Sequence, residues 1–498
     1  MSPPGSLSAQ KAPVGLKWRS SVWMITFVIG LGIAVDLTVY SIIIPVMPFQ
    51  LERLGYTDVS SLTGWLLFSF SAGLVLSTIP IALLSERYNS RQQPLVLGLV
   101  ILTGSQIMLM EAPNYPVMCI ARILQGVGSS MVWVVGLALL CDTAPPSTVA
   151  LHIGFAMSGL SVGLVIGPAV GGALYDRFGY RGPFVFGIGA TVLDLIGRLV
   201  IIERKDAIRW GIDPAAIKED ANANANATPA GNANEGVAEV APTEKSDANV
   251  PTKEEVSQSH TVSSQVTSSS PDPEAAQPTR KRHLTLVDVM VLFGKSPRTL
   301  VACFLIFVYG LVYSSQEPSI PVHLQHVWGL DSKTVGLIFI GTAVPALFSS
   351  PLSGYLTDKY GAEWTTVFGI LLAIPWWVVI IIQTRLALFI SAFAIQAFFT
   401  SSVLSPLSAE LADVSRQMDG VGYGHVYGAL NFVFGIGSSL GPVIGGQLYD
   451  HLARGWMALC LFSTGMLVVS AILAGLFTGN APLLWRFKYS SAPVSSDS

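Results

Sequence analysis

Long apolar segments recur along the whole chain and constrain its fold more than any other feature. A helix needs about 20 predominantly apolar residues to cross the hydrocarbon core of a bilayer. Because hydrocarbon offers the backbone no hydrogen-bond partner, each such segment is expected to be a helix. The sequence therefore predicts an all-α membrane protein with twelve transmembrane helices. The predicted spans are 22–48, 62–84, 95–112, 116–140, 153–174, 183–203, 299–324, 334–356, 365–384, 386–411, 424–449 and 456–478.

The composition supports this fold and argues against several other classes of protein. Hydrophobic residues make up 51% of the chain and charged residues only 12%, whereas a soluble domain carries roughly 25% charged residues. The net charge of −3 gives no reason to expect a nucleic-acid partner. The four cysteines lie in apolar segments without metal-ligand spacing, so no metal or other cofactor is expected. The spans contain no residue pair at catalytic spacing, and an enzyme is not expected.

A change in composition divides the twelve spans into two groups of six. Residues 204–297 are rich in Asn, Ala, Ser, Thr, Pro and Glu, so they are expected to form a disordered cytoplasmic linker. We predict an N-terminal bundle over 21–203 and a C-terminal bundle over 298–480, with tails at 1–20 and 481–498. Lys and Arg are concentrated on the side of the bilayer that holds the linker and the tails, so both termini are expected to be cytoplasmic.

The two halves carry the same proline and glycine motifs at a nearly constant offset, which identifies them as related copies. Pro45-Val-Met-Pro48 near the end of the first span corresponds to Pro318-Ser-Ile-Pro321, 273 residues later. The motif Gly-Pro-x-x-Gly-Gly-x-Leu-Tyr-Asp begins at Gly167 and again at Gly441, 274 residues later. Internal duplication of a membrane bundle is typical of transporters, whose substrate site lies near mid-membrane between the repeats.

The loops after the second and eighth spans read Ala82-Leu-Leu-Ser-Glu86-Arg87-Tyr-Asn-Ser-Arg91 and Gly354-Tyr-Leu-Thr-Asp358-Lys359. These motifs resemble the one found in the major facilitator superfamily of transporters. The superfamily pattern is Gly-x-x-x-Asp-Arg-x-x-x-Arg, from which Ala82 and Glu86 depart. A carboxylate beside a helix N-terminus and basic residues can latch two helices at the cytoplasmic face. The alternative is that these are ordinary solvated loop charges. The expected latch residues are Glu86, Arg87 and Arg91 in the first half and Gly354, Asp358 and Lys359 in the second.

The glycine-rich fifth span resembles the corresponding span of the superfamily's antiporters rather than that of its symporters or uniporters. Small residues four apart let helices approach closely, and proline bends the helix. The resemblance implies antiport, and we expect this span to form part of the seal between the two halves. The residues concerned are Gly163, Gly167, Pro168, Gly171 and Gly172, with Gly441 and Pro442 as counterparts in the eleventh span.

Several segments further resemble the vesicular amine transporters and their fungal and bacterial drug–proton antiporter relatives. They surround Asp36 in the first span, Arg122 and Gln125 in the fourth, Glu317 in the seventh and Asn431 in the eleventh. A mid-membrane carboxylate marks a candidate functional site because it can hold a proton or a cationic substrate in turn. We expect all five side chains to bind substrate or protons. The alternatives are a carboxyl retained for packing and an arginine that reaches the outer surface.

The chain departs from the amine transporters at three charged positions. Their lysine of the second span and their aspartates of the tenth and eleventh align with Ser71, Thr400 and Asn431 here. Proton coupling would then rest mainly on Asp36 and Glu317. A further pair of charges, Asp194 and Arg198, lies four residues apart on the sixth span and is expected to form a structural ion pair.

These features predict a monomeric secondary transporter in the plasma membrane or in a vacuolar or vesicular membrane. The leading hypothesis is a proton-coupled antiporter that exports or sequesters a small organic, cationic or amphipathic compound by alternating access. One alternative is a facilitator or proton symporter of a nutrient on the same fold. Another is a transporter-like receptor whose linker binds partners.

The expected topology can be tested at Asn226-Ala-Thr228, which matches the N-glycosylation sequon. With the linker in the cytosol, this asparagine is expected to stay unmodified in a eukaryotic host. Glycosidase treatment should then leave the gel mobility of the protein unchanged. A mobility shift that disappears in Asn226→Gln would place the linker on the other side of the membrane.

Overall fold

The computed structural model describes residues 13–87, 91–145, 148–214, 294, 296–416 and 423–479. Within these ranges the regular secondary structure is helical, and strands are absent. The side chains at 82–87, 149–151, 358, 412, 415–416, 423–428 and 431 lie outside the description.

The N-terminal half begins with a short helix and continues with helices long enough to cross a bilayer. In chain order these elements are α1 (Leu16–Arg19), α2 (Val22–Ser41), α3 (Met47–Arg53), α4 (Val59–Arg87), α5 (Gln92–Met110), α6 (Tyr115–Thr143), α7 (Val149–Phe178), α8 (Arg181–Val200) and α9 (Arg204–Arg209).

The C-terminal half repeats this arrangement. Its elements are α10 (Pro297–Ser315), α11 (Ser319–Trp328), α12 (Ser332–Tyr360), α13 (Ala362–Val379), α14 (Leu386–Ser401), α15 (Leu404–Arg416), α16 (Tyr423–His451) and α17 (Gly455–Phe477).

The predicted all-α membrane fold is confirmed. Among the described residues, 11 helices are long and apolar enough to cross a membrane. They correspond to every predicted span except the eleventh, which is the 29-residue helix α16. The protein therefore has the predicted twelve spans in two groups of six.

Three of the spans are interrupted, although the sequence predicted continuous helices. The first span breaks between α2 and α3, the seventh between α10 and α11, and the tenth between α14 and α15. Pro45-Val-Met-Pro48 and Pro318-Ser-Ile-Pro321 lie at the first two breaks, and Pro406 follows the third. Proline has no N–H to donate to the preceding turn, so each break leaves carbonyl groups that need other donors. At the first break, Ser332 Oγ of α12 donates to the Pro45 carbonyl at 2.5 Å.

The two faces of the bundle are distinguished by the chain connections. On one face, which we call the linker face, α8 ends and α10 begins. The chain enters α2 on this face too, because Arg19 Nε donates to the Val200 carbonyl at 2.6 Å. The first residues of the predicted linker are ordered: they form α9, and Arg204 pairs with Asp213 at 2.8 Å. The rest of the linker, residues 215–293, lies outside the described residues. The opposite face, which we call the distal face, carries α3 and α11.

The two halves meet towards the distal face through a pair of equivalent contacts, which we call the distal seal. Gly64 of α4 packs on the carbonyl of Pro442 in α16, and Gly336 of α12 packs on the carbonyl of Pro168 in α7. A Cβ atom at either glycine would overlap a backbone carbonyl of the other half. Only glycine therefore lets these backbones approach so closely.

The glycines of the fifth span were expected to seal the two halves, but the structure divides them between two interfaces. Gly163, Gly167 and Gly171 pack against α2 of their own half, whereas Gly172 packs on the Ser332 carbonyl of α12 in the other half. The contact between halves at this span is therefore made by Gly172 and Pro168. The second half repeats the division, with Gly437, Gly441 and Gly445 facing α10 and Gly446 facing α4.

Substitutions can separate the two interfaces. Gly167→Leu is expected to lower the thermal midpoint by about 5 °C or more, because a Cβ there would overlap Ser41 Oγ within the N-terminal half. Gly172→Leu is expected to abolish transport but to lower the thermal midpoint less, because the added side chain separates the two halves and leaves the packing within each half intact. Gly189→Leu, which meets open space, is the control. Equal shifts for Gly167→Leu and Gly172→Leu would contradict this division.

Candidate functional site

Asp36 lies in the last third of α2, five residues before its end, and faces the interior of the N-terminal half. It is only 2% exposed. Its Oδ2 atom accepts hydrogen bonds from Ser129 Oγ at 2.6 Å and from Trp133 Nε1 at 2.8 Å, both on α6. Its Oδ1 atom has no hydrogen-bond partner among the described residues. One carboxylate oxygen is thus held in place by the protein while the other remains available.

Arg122 of α6 is wholly buried, so it does not reach the outer surface. Its Nη1 atom donates to Gln125 Oε1 at 2.5 Å, and its Nε atom donates to the Leu66 carbonyl at 3.4 Å. The guanidinium carbon lies 4.7 Å from the ring centre of Phe70 and 5.6 Å from that of Tyr40. Neutral acceptors and aromatic faces stabilise this positive charge within the bundle, while its Nη2 atom has no hydrogen-bond partner among the described residues.

Glu317 lies at the break between α10 and α11 and is 6% exposed. The Tyr40 hydroxyl donates to Glu317 Oε2 at 2.8 Å, which joins the two halves across the centre of the protein. Arg122 interacts electrostatically with both Asp36 and Glu317. The structure thus brings together three of the charges that the sequence singled out: a carboxyl in each half, with one guanidinium within reach of both.

A small cavity adjoins this cluster. It has a volume of about 50 Å³, and its walls include Ser41, Tyr313, Gln316, Glu317 and Phe339 from both halves. Pockets for small organic ligands usually measure roughly 300–1,000 Å³, so an organic substrate needs the halves to move apart. A larger groove of about 410 Å³ lies between α12, α13 and α14, but its walls are mainly apolar and carry no charged residue.

The expected latch residues are described only in part. Arg91 Nε pairs with Asp142 Oδ2 at 3.0 Å and so joins the start of α5 to the end of α6 at the linker face. Lys359 lies over the ring of Tyr360, with Nζ 5.1 Å from its centre. Gly354 packs near α15. The latch stays a prediction, since several of its members, together with one site residue, have side chains outside the described part of the chain: Glu86, Arg87, Asp358 and Asn431.

Three residues at the site were not predicted: Tyr40, Ser129 and Trp133. All three could have been found from helical spacing. Positions 122, 125, 129 and 133 follow each other at intervals of three or four and so share one face of α6. Tyr40 lies four residues after Asp36, one turn along the same face of α2.

The sequence matches the Major Facilitator Superfamily over residues 22–234 and 302–493, which include nearly all of both bundles. The chain belongs to the Major Facilitator Superfamily. It is therefore a multi-pass membrane transporter of small molecules and not an enzyme, as the sequence predicted.

The chain is also similar to individual members of the superfamily. The MFS-type transporter ppzB of Metarhizium rileyi is 24% identical over 489 residues, which cover 94% of this chain and 97% of that protein. The drug efflux pump JefA of Mycobacterium tuberculosis is 31% identical over 176 residues, 34% of each chain. Among solved structures, an inward-facing, unoccupied bacterial homolog of the human lysosomal transporter Spinster matches with a TM-score of 0.64. That match is 16% identical, covers 93% of this chain and 97% of the other, and shows a shared fold.

The partner of the buried arginine can be tested by substitution. Gln125→Leu removes the acceptor of Arg122 Nη1, and leaving a buried charged donor unpaired costs roughly 1–3 kcal/mol. The thermal midpoint of the purified protein is therefore expected to fall by about 5 °C. Gln125→Glu has nearly the same shape and keeps an acceptor, so it should retain most of the stability. Equal losses in both variants would show that the hydrogen bond contributes little.

Proposed function

We propose that this protein is a proton-coupled antiporter that exports or sequesters a small organic cation by alternating access. The observation that carries the proposal is the environment of Asp36. This carboxyl group lies within the membrane bundle, and its Oδ1 atom has no protein partner among the described residues. A proton or a cationic group of a substrate can occupy that position, but both cannot do so at once. Such competition is sufficient for exchange.

The charges of the site support a competition between one proton and one monovalent cation. With Asp36 and Glu317 ionised, two negative charges face the single positive charge of Arg122. The remaining negative charge is unfavourable where water is scarce, because the free energy of an uncompensated charge rises in a medium of low dielectric constant. Binding of one proton or one cation restores neutrality. The empty, charged site is therefore the least favourable state for movement between the two faces.

The bond between Tyr40 and Glu317 links this charge balance to the movement of the halves. It joins one half to the other, so it can persist only while they remain together at this depth. Hydrogen bonds to an ionised acceptor are roughly twice as strong as those to a neutral one. A proton on Glu317 would weaken the link, and the halves would then rock about the central site more readily.

The charge distribution and the relatives support a direction of transport. The excess of Lys and Arg beside the linker favours a cytoplasmic linker face, and the distal face would then meet the exterior or a vesicle lumen. JefA is named as a drug efflux pump, and the fifth span resembles that of antiporters. Both support export of an organic compound from the cytosol, and we propose that a monomer in the plasma membrane or in a vacuolar or vesicular membrane carries it out.

The test uses the purified protein in vesicles with a pH dye inside and a panel of organic cations outside. The wild type is expected to release protons when a transported cation is added, because cation and proton exchange at Asp36. Asp36→Asn cannot bind a proton and should lose this response by at least about tenfold. Glu111→Gln removes a carboxylate from an exposed ion pair with Arg181 and should behave as wild type.

Radiolabelled uptake in the same vesicles distinguishes the alternatives. Uptake without proton movement would make the protein a facilitator. Accumulation driven by protons entering together with the substrate would make it a symporter. Either result would overturn antiport but leave transport itself established.

A further inference from the structure

The ion pair of Asp194 and Arg198 lies inside the N-terminal half, and the proposed exchange does not use it. Both side chains are fully buried, and Arg198 Nε donates to Asp194 Oδ1 at 3.2 Å, which confirms the predicted pairing. Burying two charges is expensive, and apolar side chains of similar volume often replace a buried ion pair without loss of stability. Stability alone is therefore a weak reason for these two residues.

The pair also leaves much of its hydrogen-bonding capacity unused. Arg198 Nη1, Arg198 Nη2 and Asp194 Oδ2 have no hydrogen-bond partner among the described residues. An arginine and a carboxylate that serve only each other usually form two parallel N–H···O bonds. Here a single bond forms, so the guanidinium has donors that another acceptor could use.

The position of the guanidinium brings those donors close to the proposed site. A Cβ atom at Gly32 of α2 would overlap Arg198 Nη2, and a Cβ atom at Gly136 of α6 would lie 3.7 Å from Arg198 Nη1. The guanidinium thus lies between α2 and α6, in a space that Gly32 leaves open. Gly32 precedes Asp36 by one helical turn, a rise of about 5.4 Å. The unused donors therefore lie about one turn from Asp36, on its linker-face side.

Asp194, the partner of Arg198, also acts on Asp36, because the two negative charges repel each other when both carboxyls are ionised. The Oδ1 atom of Asp36 has no hydrogen-bond partner among the described residues. The other elements packed against α2 carry Arg122 of α6, which acts on Asp36, and His152 of α7, together with Asp142, Asp176 and Arg177 near the helix ends. His152 Nδ1 lies 2.8 Å from Thr26 Oγ1, further towards the linker face. Arg198 is thus the positive group on the linker-face side of Asp36.

We propose that Arg198 is a countercharge shared by Asp194 and Asp36. While Asp36 carries a proton or a substrate cation, Arg198 pairs with Asp194; when Asp36 is empty and ionised, the free guanidinium donors turn towards it. Arg198 takes no part in the proton transfer, and the proton of Asp36 leaves to water. Arg198 and Asp194 act as positioning residues, and they determine how readily Asp36 releases its proton or substrate cation. The consequence for transport rests on the proposed antiport, but the coupling itself can be measured without transport.

The coupling is tested by labelling the intact protein with dicyclohexylcarbodiimide, which modifies buried carboxyl groups in their protonated form. Mass spectrometry then gives the rate of modification of Asp36 at a fixed pH. Arg198→Gln removes the charge that favours ionised Asp36 and is expected to raise this rate about threefold or more. Asp194→Asn frees Arg198 for Asp36 and is expected to lower the rate by a similar factor. Modification of Glu317 in the same samples is the internal control and should stay unchanged.

Matched variants distinguish an effect of the charge on the modification rate from an effect of lost folding. Arg198→Lys keeps the charge and should restore a rate near that of the wild type. Gly32→Ala keeps every charge but places a Cβ where Arg198 Nη2 lies and 2.8 Å from Asp194 Oδ2, so it is expected to displace the pair from α2 and to change the rate without removing a charge. Gly136→Ala makes only an ordinary contact at 3.7 Å and should have no effect. The thermal midpoint of each variant shows that it is folded.

Equal modification of Asp36 in the folded wild type, Arg198→Gln and Asp194→Asn would overturn the proposal and make the pair a structural contact. An effect in one of the two variants without the opposite effect in the other would also overturn it, because a shared countercharge must respond to both. Failure of the antiport proposal is separate, since it is measured as missing proton release in vesicles.

Discussion

The interior of a bilayer offers no hydrogen-bond partner, and the architecture of this transporter depends on that constraint. Backbone groups are satisfied within helices, and the carbonyls freed at the helix breaks need donors from neighbouring elements. Charged side chains face the protein interior, where Arg122 has the oxygens of Gln125 and Leu66 and Asp36 has the donors of Ser129 and Trp133. Without a hydrophobic force between helices in lipid, close packing of small residues holds the helices together. The glycine contacts within and between the halves supply that packing.

The two halves share a framework but differ in their interiors. The N-terminal half contains Asp36, Arg122 and the Asp194–Arg198 pair. The described part of the C-terminal half is packed mainly with apolar and aromatic side chains; towards the distal face His323 stacks on Trp456 at a centroid distance of 4.2 Å, with Phe389 beside it. Glu317 at the break in the seventh span is the charge that this half contributes to the site. The duplicated framework thus positions the halves, while their different interiors place most of the chemistry in the first.

The features that could be predicted from the sequence are those determined by interactions within one segment of the chain. The spans, the duplication and the Asp194–Arg198 pair follow from composition and helical spacing within one segment, and they were predicted. The fifth-span glycines were assigned to one interface because spacing shows which residues share a face but not what that face meets. Gly171 and Gly172 point about 100° apart on the helix, so one packs within its half and the other between halves. The bond between Tyr40 and Glu317 depends on how two distant segments meet, and neither segment alone predicts it.

The breaks in the first and seventh spans have a consequence for how the distal face opens. The Pro45 carbonyl accepts a hydrogen bond from the Ser332 hydroxyl of the other half, and at the equivalent contact the Oγ atoms of Ser60 and Ser319 lie 2.9 Å apart. When the halves separate, these groups lose their partners at a depth where lipid cannot replace them. Water has to enter as they part, so separation of the halves and wetting of the gap become one event. Hydration of the gap thereby contributes to the free energy of each transport cycle, alongside the substrate and the proton.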